Sequence, residues 1–428
     1  MPSGALVQLV SIGVENKYLI GNPTTTFFKT IYKKHTNFAI EAIRQSYQGS
    51  GDFGTKLTCT LYKDGDLVNN TYIEFSLPTL NQTQQGASWV SYTNGIANAL
   101  VKSVELEIGG RVVDRHYSEW LDIWAELNLD INFKNSYDQM VGNYPSDLSL
   151  KYAATSNTGY TLYNVYYTPL RFWFNRNIGN SLPLIALQYH DVKLNIELRS
   201  LSELIRSDIT LDTTKLITTE GAPVKIADCS IWTDYIYLDK QERTHIANNS
   251  HEYLIDQVQF NGAISITGNT SATTISLDYN HPVRAIYWIF ENESYLTTNT
   301  ATGNKLLSYE AVSGGDTFNK FKLQLNGNDR FEERSANYFR LVQQVEHSPS
   351  AARKYIYMYS FAINSGDTQP SGTCNFSKIT DSLVNFSFDS KSHTFNGSIR
   401  HKMYAVNYNI FKISNGMGTL EFFDWIRF

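Results

Sequence analysis

The order of features in this 428-residue chain occurs twice, and that constrains the fold more than any single motif does. In the first half, alternating Val104 to Ile108 runs into Gly109-Gly110 and then the aromatic stretch ending at Trp120. In the second half, Phe321 to Leu325 runs into Asn326-Gly327, then Arg330 to Arg334 and the pair Tyr338-Phe339. Tyr355 to Pro370 parallels Leu170 to Pro183, with an aromatic triple, a polar turn and a proline in register. Tyr404 to Phe422 then closes the second half as Ile231 to Leu238 closes the first. The offset, roughly 200 residues, is that of a duplicated domain and too long for a solenoid repeat.

The junction between the halves is legible as strand, short helix, strand. Ile231 to Leu238 places large β-formers on both faces, as a strand buried on both sides requires. Asp239 with Glu242 three residues on has capping-box spacing and starts a helix at Lys240, which Asn248-Asn249-Ser250 stops after about two turns. A new strand opens at Tyr253. The boundaries that follow are an arm over 1–24, a first domain over 25–239, a linker helix over 240–252 and a second domain over 253–428.

Within the first half, Thr36 to Tyr47, Thr55 to Tyr62 and Asn70 to Leu77 are predicted strands, the last two joined as a hairpin by Lys63-Asp64-Gly65-Asp66. Val101 to His116 is a second hairpin turning at Gly109-Gly110, and Tyr117 to Asn128 a helix, with Trp120, Ile123, Trp124 and Leu127 repeating at three and four as a core face. Pro169 to Leu198 is predicted as two strands around a Gly-containing turn, and 135–163 as irregular. With 14% aromatic and only 18% charged residues, this composition favours strands and polar loops over long helices. The fold class expected is all-β: two consecutive eight-stranded jelly-roll sandwiches with short helices in loops.

The chemistry of enzymes is missing from the pattern. The nine histidines form no HxH or HExxH spacing, so no cofactor or metal site is expected. There is no GxSxG elbow, Walker loop or GxGxxG fingerprint. Asp191, Asp234 and Asp256 lie in apolar strands, where a carboxylate capping a turn or paired with arginine outweighs a catalytic one. Cys59, Cys229 and Cys374 are widely spaced and odd in number, the usage of reduced core residues. A formal net charge of −5 with no long basic run argues against direct nucleic-acid binding. The N-terminus has neither a signal-peptide pattern nor an apolar span. Sequons at Asn269, Asn292, Asn385 and Asn396 are a weak glycosylation signal, since a chain this rich in Asn, Ser and Thr yields several by chance.

Seven ordered blocks nonetheless resemble one family. They are GNPTTTFFKTIYKKHTNFAIE from Gly21, KSVELEIGGRVVDRHYSEWLDIW from Lys102, PLRFWFNRNIGNSLPLIALQYHDVKL from Pro169, DYIYLDKQERTHIANNSHEYLIDQ from Asp234, LNGNDRFEERSANYFRLVQ from Leu325, YMYSFAINSGDTQPSGTCNFSKI from Tyr357 and YAVNYNIFKISNGMGTLEF from Tyr404. Together they are similar to the major capsid proteins of nucleocytoplasmic large DNA viruses of algae and protists. The resemblance implies a double jelly roll without enzymatic activity, trimerising into pseudo-hexagonal capsomers that tile an icosahedral shell. Implied partners are the chain itself, neighbouring capsomers, minor capsid and penton proteins, and an internal viral membrane reached indirectly. It further implies assembly in the host cytoplasm, Lys29, Lys33 and Lys34 at the capsomer base, and 135–163 and 294–317 exposed as outer loops. A second reading is a carbohydrate-binding jelly-roll module on the virion surface, using loop aromatics to stack on sugars.

Overall fold

The computed structural model describes every residue except 1–2, 82–83, 145–164, 268–269, 297–302, 312–313, 389–397 and 423–428. Residues through Asn37 form one unit and those from Phe38 onward another. The first unit holds two short helices, Ser3–Val10 and Lys17–Ile20, and then runs without a strand. Residues 25–37 contain no strand, for Phe27, Phe28, Ile31 and Tyr32 do not alternate and form no ladder. The first strand begins at Phe38.

The second unit contains two antiparallel sandwiches with one strand order. In the first, a sheet runs Phe38–Gln45, Asp228–Leu238, Leu67–Ser76, Val165–Pro169. In the second, the matching sheet runs His251–Phe260, Ile399–Ser414, Pro282–Asn292, Tyr357–Ser360. The closing strand of each half inserts next to the edge in both, so the repeated sequence order is a repeated topology. The opposing sheets are built on Lys56–Thr60, Val192–Leu198, Val101–Ile108 and Arg111–Tyr117 in the first sandwich, and on Ala272–Ser276, Ser382–Ser387 and Lys320–Leu325 in the second. Between the sheets of the first lie Ile73, Phe75 and Ile231 against Leu57, Val104, Leu106 and Leu194; in the second, Trp288 and Phe290 against Phe321, Leu323 and Phe386.

The doubly buried strand is not the one the sequence singles out. In Asp228–Leu238, Trp232 and Asp234 are only half-buried. Every residue of Val283–Asn292 is buried, because alternate side chains enter different cores. Trp288 and Phe290 point into the second sandwich, while Ala285, Tyr287 and Ile289 join the first.

The helix Ser118–Asn128 and the linker helix Lys240–Asn248 form where their periodicity and stop signals put them. Asp239, however, makes no side-chain cap bond. Asp64-Gly65 does not turn a hairpin either, for Lys56–Thr60 and Leu67–Ser76 belong to different sheets. The segment between them crosses over, and Asp66 Oδ2 accepts the Leu238 amide at 2.9 Å. Gly109 and Gly110 do turn the later hairpin, with φ of 59° and 79° that a two-residue loop demands.

Within Pro169 to Leu198, expected as two strands around a Gly-containing turn, the first part holds two 3-10 turns instead, Trp173–Asn175 and Ile178–Asn180. Phe172, Trp173 and Phe174 are all buried in succession, which an alternating strand on one core cannot achieve. Part of the expected loop is likewise ordered: Ile131–Val141 is a helix, capped by Asp130 and ended by Gly142 at φ 72°. A Cβ at Gly142 would lie 2.7 Å from Tyr166, so a side chain there meets both strain and a clash. The remainder, 145–163, lies outside the described residues. Within 294–317 the expectation of exposure fails at Asn304, Leu306, Leu307 and Tyr309, which are buried because they fill the space beside the first core.

Candidate functional site: the seam between the sandwiches and the outer faces

The helix Ser118–Asn128 carries two faces of consequence. Its apolar face anchors the first core, with Trp120 packed edge-on to Tyr287 at 5.5 Å between ring centroids. Its acidic residues Glu119, Asp122 and Glu126 recur at spacings of three and four, which aligns them on one stripe. All three are buried, and each meets a cation from the second sandwich. Glu119 accepts from Lys402 Nζ at 2.8 Å and from Arg199 at 3.1 Å. Asp122 accepts from Lys354 at 2.8 Å and from the Tyr309 hydroxyl at 2.9 Å. Glu126 binds the Arg353 guanidinium at 2.8 Å, which also reaches Asp138 at 2.6 Å.

Lys402 also pairs with Glu291 at 2.9 Å, so two buried carboxylates share one ammonium. Burial pushes the Glu119 carboxyl up, but Lys402 and Arg199 outweigh it and lower its pKa to about 2. Burial raises Glu291, which Lys402 offsets only in part. A further seam contact joins Asp256 to Arg176 at 2.6 Å and Arg284 at 3.1 Å. This is the structural pairing expected of Asp256. Asp234 accepts from Asn70, and Asp191 is exposed 4.0 Å from Lys63.

His401 lies in the second core, its ring 5.0 Å from those of Phe290 and Phe386. Burial lowers its pKa from 6.5 to about 3. From pH 6.5 down to about 3 the unfolded chain therefore binds a proton that the folded chain refuses, and stability falls as pH falls through that window. The loss is at most about 1.4 kcal/mol per pH unit. His401→Leu is expected to shift the midpoint of acid unfolding to lower pH; an unchanged midpoint by circular dichroism would discount this group.

Among the described residues no three His, Cys, Asp or Glu side chains are placed to hold a metal ion. No helix among them is long and apolar enough to cross a membrane. Cys59 and Cys229 are buried free thiols, as their spacing implies, and Cys374 is half-buried. A cavity of about 220 Å³ is lined by Trp124, Trp173, Arg176, Asp256 and Tyr408. Arg171 already covers a face of Trp124, 4.2 Å from its ring centre.

The sequons divide. Asn292 is buried, its Oδ1 accepting from Ser294, so its amide is closed to a glycosyltransferase in the folded chain. Asn385 is half-buried in a cross-strand ladder, donating to Gln324 and accepting from Thr274. Asn269 and Asn396 lie outside the described residues. Lys29, Lys33 and Lys34 are exposed on the strandless run before Phe38. The acidic stripe escaped the sequence reading, although its spacing was there to be seen beside the tryptophans.

Residues 26–239 match the family described as major capsid protein N-terminus, and 242–419 match the large eukaryotic DNA virus major capsid protein. The "Major capsid protein" of Pyramimonas orientalis virus is 35% identical over 98% of this chain and 99% of its own length.

The chain belongs to the major capsid proteins of large eukaryotic DNA viruses.

That of Paramecium bursaria Chlorella virus 1 is 34% identical over 98% of this chain and 99% of its own. Among solved structures, a chain of the PBCV-1 virus capsid superposes with a TM-score of 0.75 at 31% identity, covering 93% of this chain and 100% of that one. The Faustovirus major capsid protein, 11% identical, shares the fold with a TM-score of 0.71. The two sandwiches are thus a double jelly roll, and this capsid protein is a structural, non-enzymatic component of the virion shell. The family boundary between 239 and 242 falls at the start of the linker helix.

Proposed function

We propose that this capsid protein is the subunit of a homotrimeric, pseudo-hexagonal capsomer that tiles an icosahedral shell. The repeated strand order carries this reading. One chain supplies two sandwiches of the same topology, so three copies in a closed ring present six similar units and a near-sixfold outline. The jelly rolls are 25–239 and 253–428, joined through the linker 240–252, with 1–24 as the arm. The capsomers meet one another laterally and bind minor capsid and penton proteins, through which an internal membrane is reached; assembly takes place in the host cytoplasm.

Static light scattering with negative-stain imaging tests the reading. Three chains of 48.7 kDa give about 146 kDa, in a particle of hexagonal outline. A monomer at every concentration would sink it. Lys29, Lys33 and Lys34 are proposed to contact the proteins beneath the shell. Lys33→Glu with Lys34→Glu should then leave the trimer mass unchanged but reduce shell formation, and full assembly would refute that role. The carbohydrate-binding alternative draws little support from the tryptophans Trp124 and Trp173, because Trp173 is buried and Trp124 is stacked under Arg171.

A further inference from the structure

In two helices of the double jelly roll some polar side chains turn inward and some apolar ones outward. The helical run Tyr338–His347 buries Gln343 and Gln344 and exposes Leu341, Val342 and Val345, the last at 75%. The first turn of Ile131–Val141 buries Lys134, at 2% exposure, and exposes Ile131 and Phe133 at 64% and 66%. Phe339 and Val141 are buried as well, but a helix facing water keeps its outer side polar.

The buried polar groups are fully engaged, so the inversion is built in and not a packing fault. Gln344 donates to Ile356 O at 2.7 Å and accepts from Ala352 N at 2.8 Å. Gln343 donates to the Tyr338 hydroxyl and accepts from Ser360 N, each at 3.1 Å. Lys134 Nζ donates to Glu126 O at 2.7 Å and Ala351 O at 2.9 Å. These bonds fix the rotation of each helix, and its apolar side is thereby aimed outward.

The two helices come from different sandwiches, yet the segments that flank them are bonded to each other. Ser348 Oγ and Ser350 N both donate to Leu127 O, tying the end of one helix to the residues that precede the other. His347 Nδ1 lies 2.8 Å from Ile363 O, which brings Ile363, 70% exposed, to the same place. Exposed apolar side chains from both jelly rolls thus flank this junction: Ile131, Phe133, Leu341, Val342, Val345 and Ile363.

We propose that this face is a contact through which a second copy of the chain docks in the capsomer, an inference that rests on the trimer reading. Its size and its charge select that occupant. The six side chains present on the order of 700 Å² of surface, above the largest patch of an ordinary monomer and close to the ~800 Å² each partner contributes to a stable interface. Exposed neighbours Asn132, Asn135, Ser136, Gln139 and Asn337 are uncharged and the exposed charged ones, Asp130 and Glu346, are acidic, which disfavours a nucleic acid or an anionic membrane and leaves a protein surface. The face spans the two sandwiches, so docking there also fixes one jelly roll against the other at each ring contact.

Phe133→Asp with Val345→Asp tests this in the full-length chain. Both positions are solvent-facing, so the expected result is a drop from trimer to monomer mass with an unchanged thermal transition of the monomer. A trimer that survives the double substitution overturns the face and leaves the trimer reading intact; a wild type that is monomeric throughout overturns both. Should the double variant fail to fold, Val345→Cys labelled with a maleimide decides: protection in the trimer and rapid reaction after dissociation are expected, and equal reactivity in both states overturns the proposal.

Discussion

Lys402→Met is expected to lower the free energy of unfolding by roughly 3–5 kcal/mol, the cost of breaking a buried ion pair from one side. Methionine keeps most of the apolar stem, so packing is little disturbed. What disappears is the ammonium that meets Glu119 at 2.8 Å and Glu291 at 2.9 Å, both carboxylates lying in the buried seam. Arg199 still reaches Glu119 at 3.1 Å, so the damage concentrates on Glu291. That carboxyl, already raised by burial, would take up a proton instead of remaining charged. The effect should therefore be larger at pH 8 than at pH 5. Adding Glu291→Gln to Lys402→Met removes the orphaned charge while Glu119 keeps Arg199, and should recover a large part of the loss, since a pair replaced on both sides costs far less than one cut in half. Urea unfolding of the three proteins checks this. A Lys402→Met chain within about 1 kcal/mol of wild type would mean that the seam is solvated and that its charges are not a lock.

What the sequence disclosed and what it hid follow from the range of the interactions. Alternation over Val104 to Ile108, the double glycine after it and the three-four spacing of Trp120, Ile123 and Trp124 are local signals, and each became the element they specify. The duplication was legible because it repeats an order of local signals. Partner choice is not local. Asp64-Gly65 has the chemistry of a hairpin turn, but whether the flanking strands pair depends on Asp228–Leu238, some 150 residues on, which takes Leu67–Ser76 into the other sheet. Likewise Phe172, Trp173 and Phe174 read as a strand until one sees that core surrounds all three at once. The acidic stripe was hidden for a further reason: Glu119, Asp122 and Glu126 on a helix ordinarily signal a solvated face, and only Lys402, Lys354 and Arg353, more than 200 residues away, make that face an interior one.

Trp288→Ala is expected to cost roughly 3–5 kcal/mol and to uncouple the two jelly rolls during unfolding. The indole is fully buried, stacked on Phe321 at 4.5 Å and within 5.4 Å of Phe339 and 6.0 Å of Tyr357. Truncation leaves a cavity in a cluster that no neighbouring backbone can collapse to fill, because Pro282–Asn292 is held from behind. Tyr287 and Ile289, on the opposite face of the same strand, belong to the first core, with Tyr287 against Trp120. The strand should thus stay anchored while the sheet facing Trp288 loosens. Hydrogen exchange would show it: amides of Lys320–Leu325 and Ser382–Ser387 should lose protection, and those of Val192–Leu198 should keep it. Trp288→Phe should cost much less than alanine, since the indole N–H has no hydrogen-bond partner among the described residues and its removal relieves a buried donor. Uniform loss of protection across both sandwiches would instead mean that the shared strand transmits any cavity to both cores, and that the double jelly roll unfolds as one cooperative body.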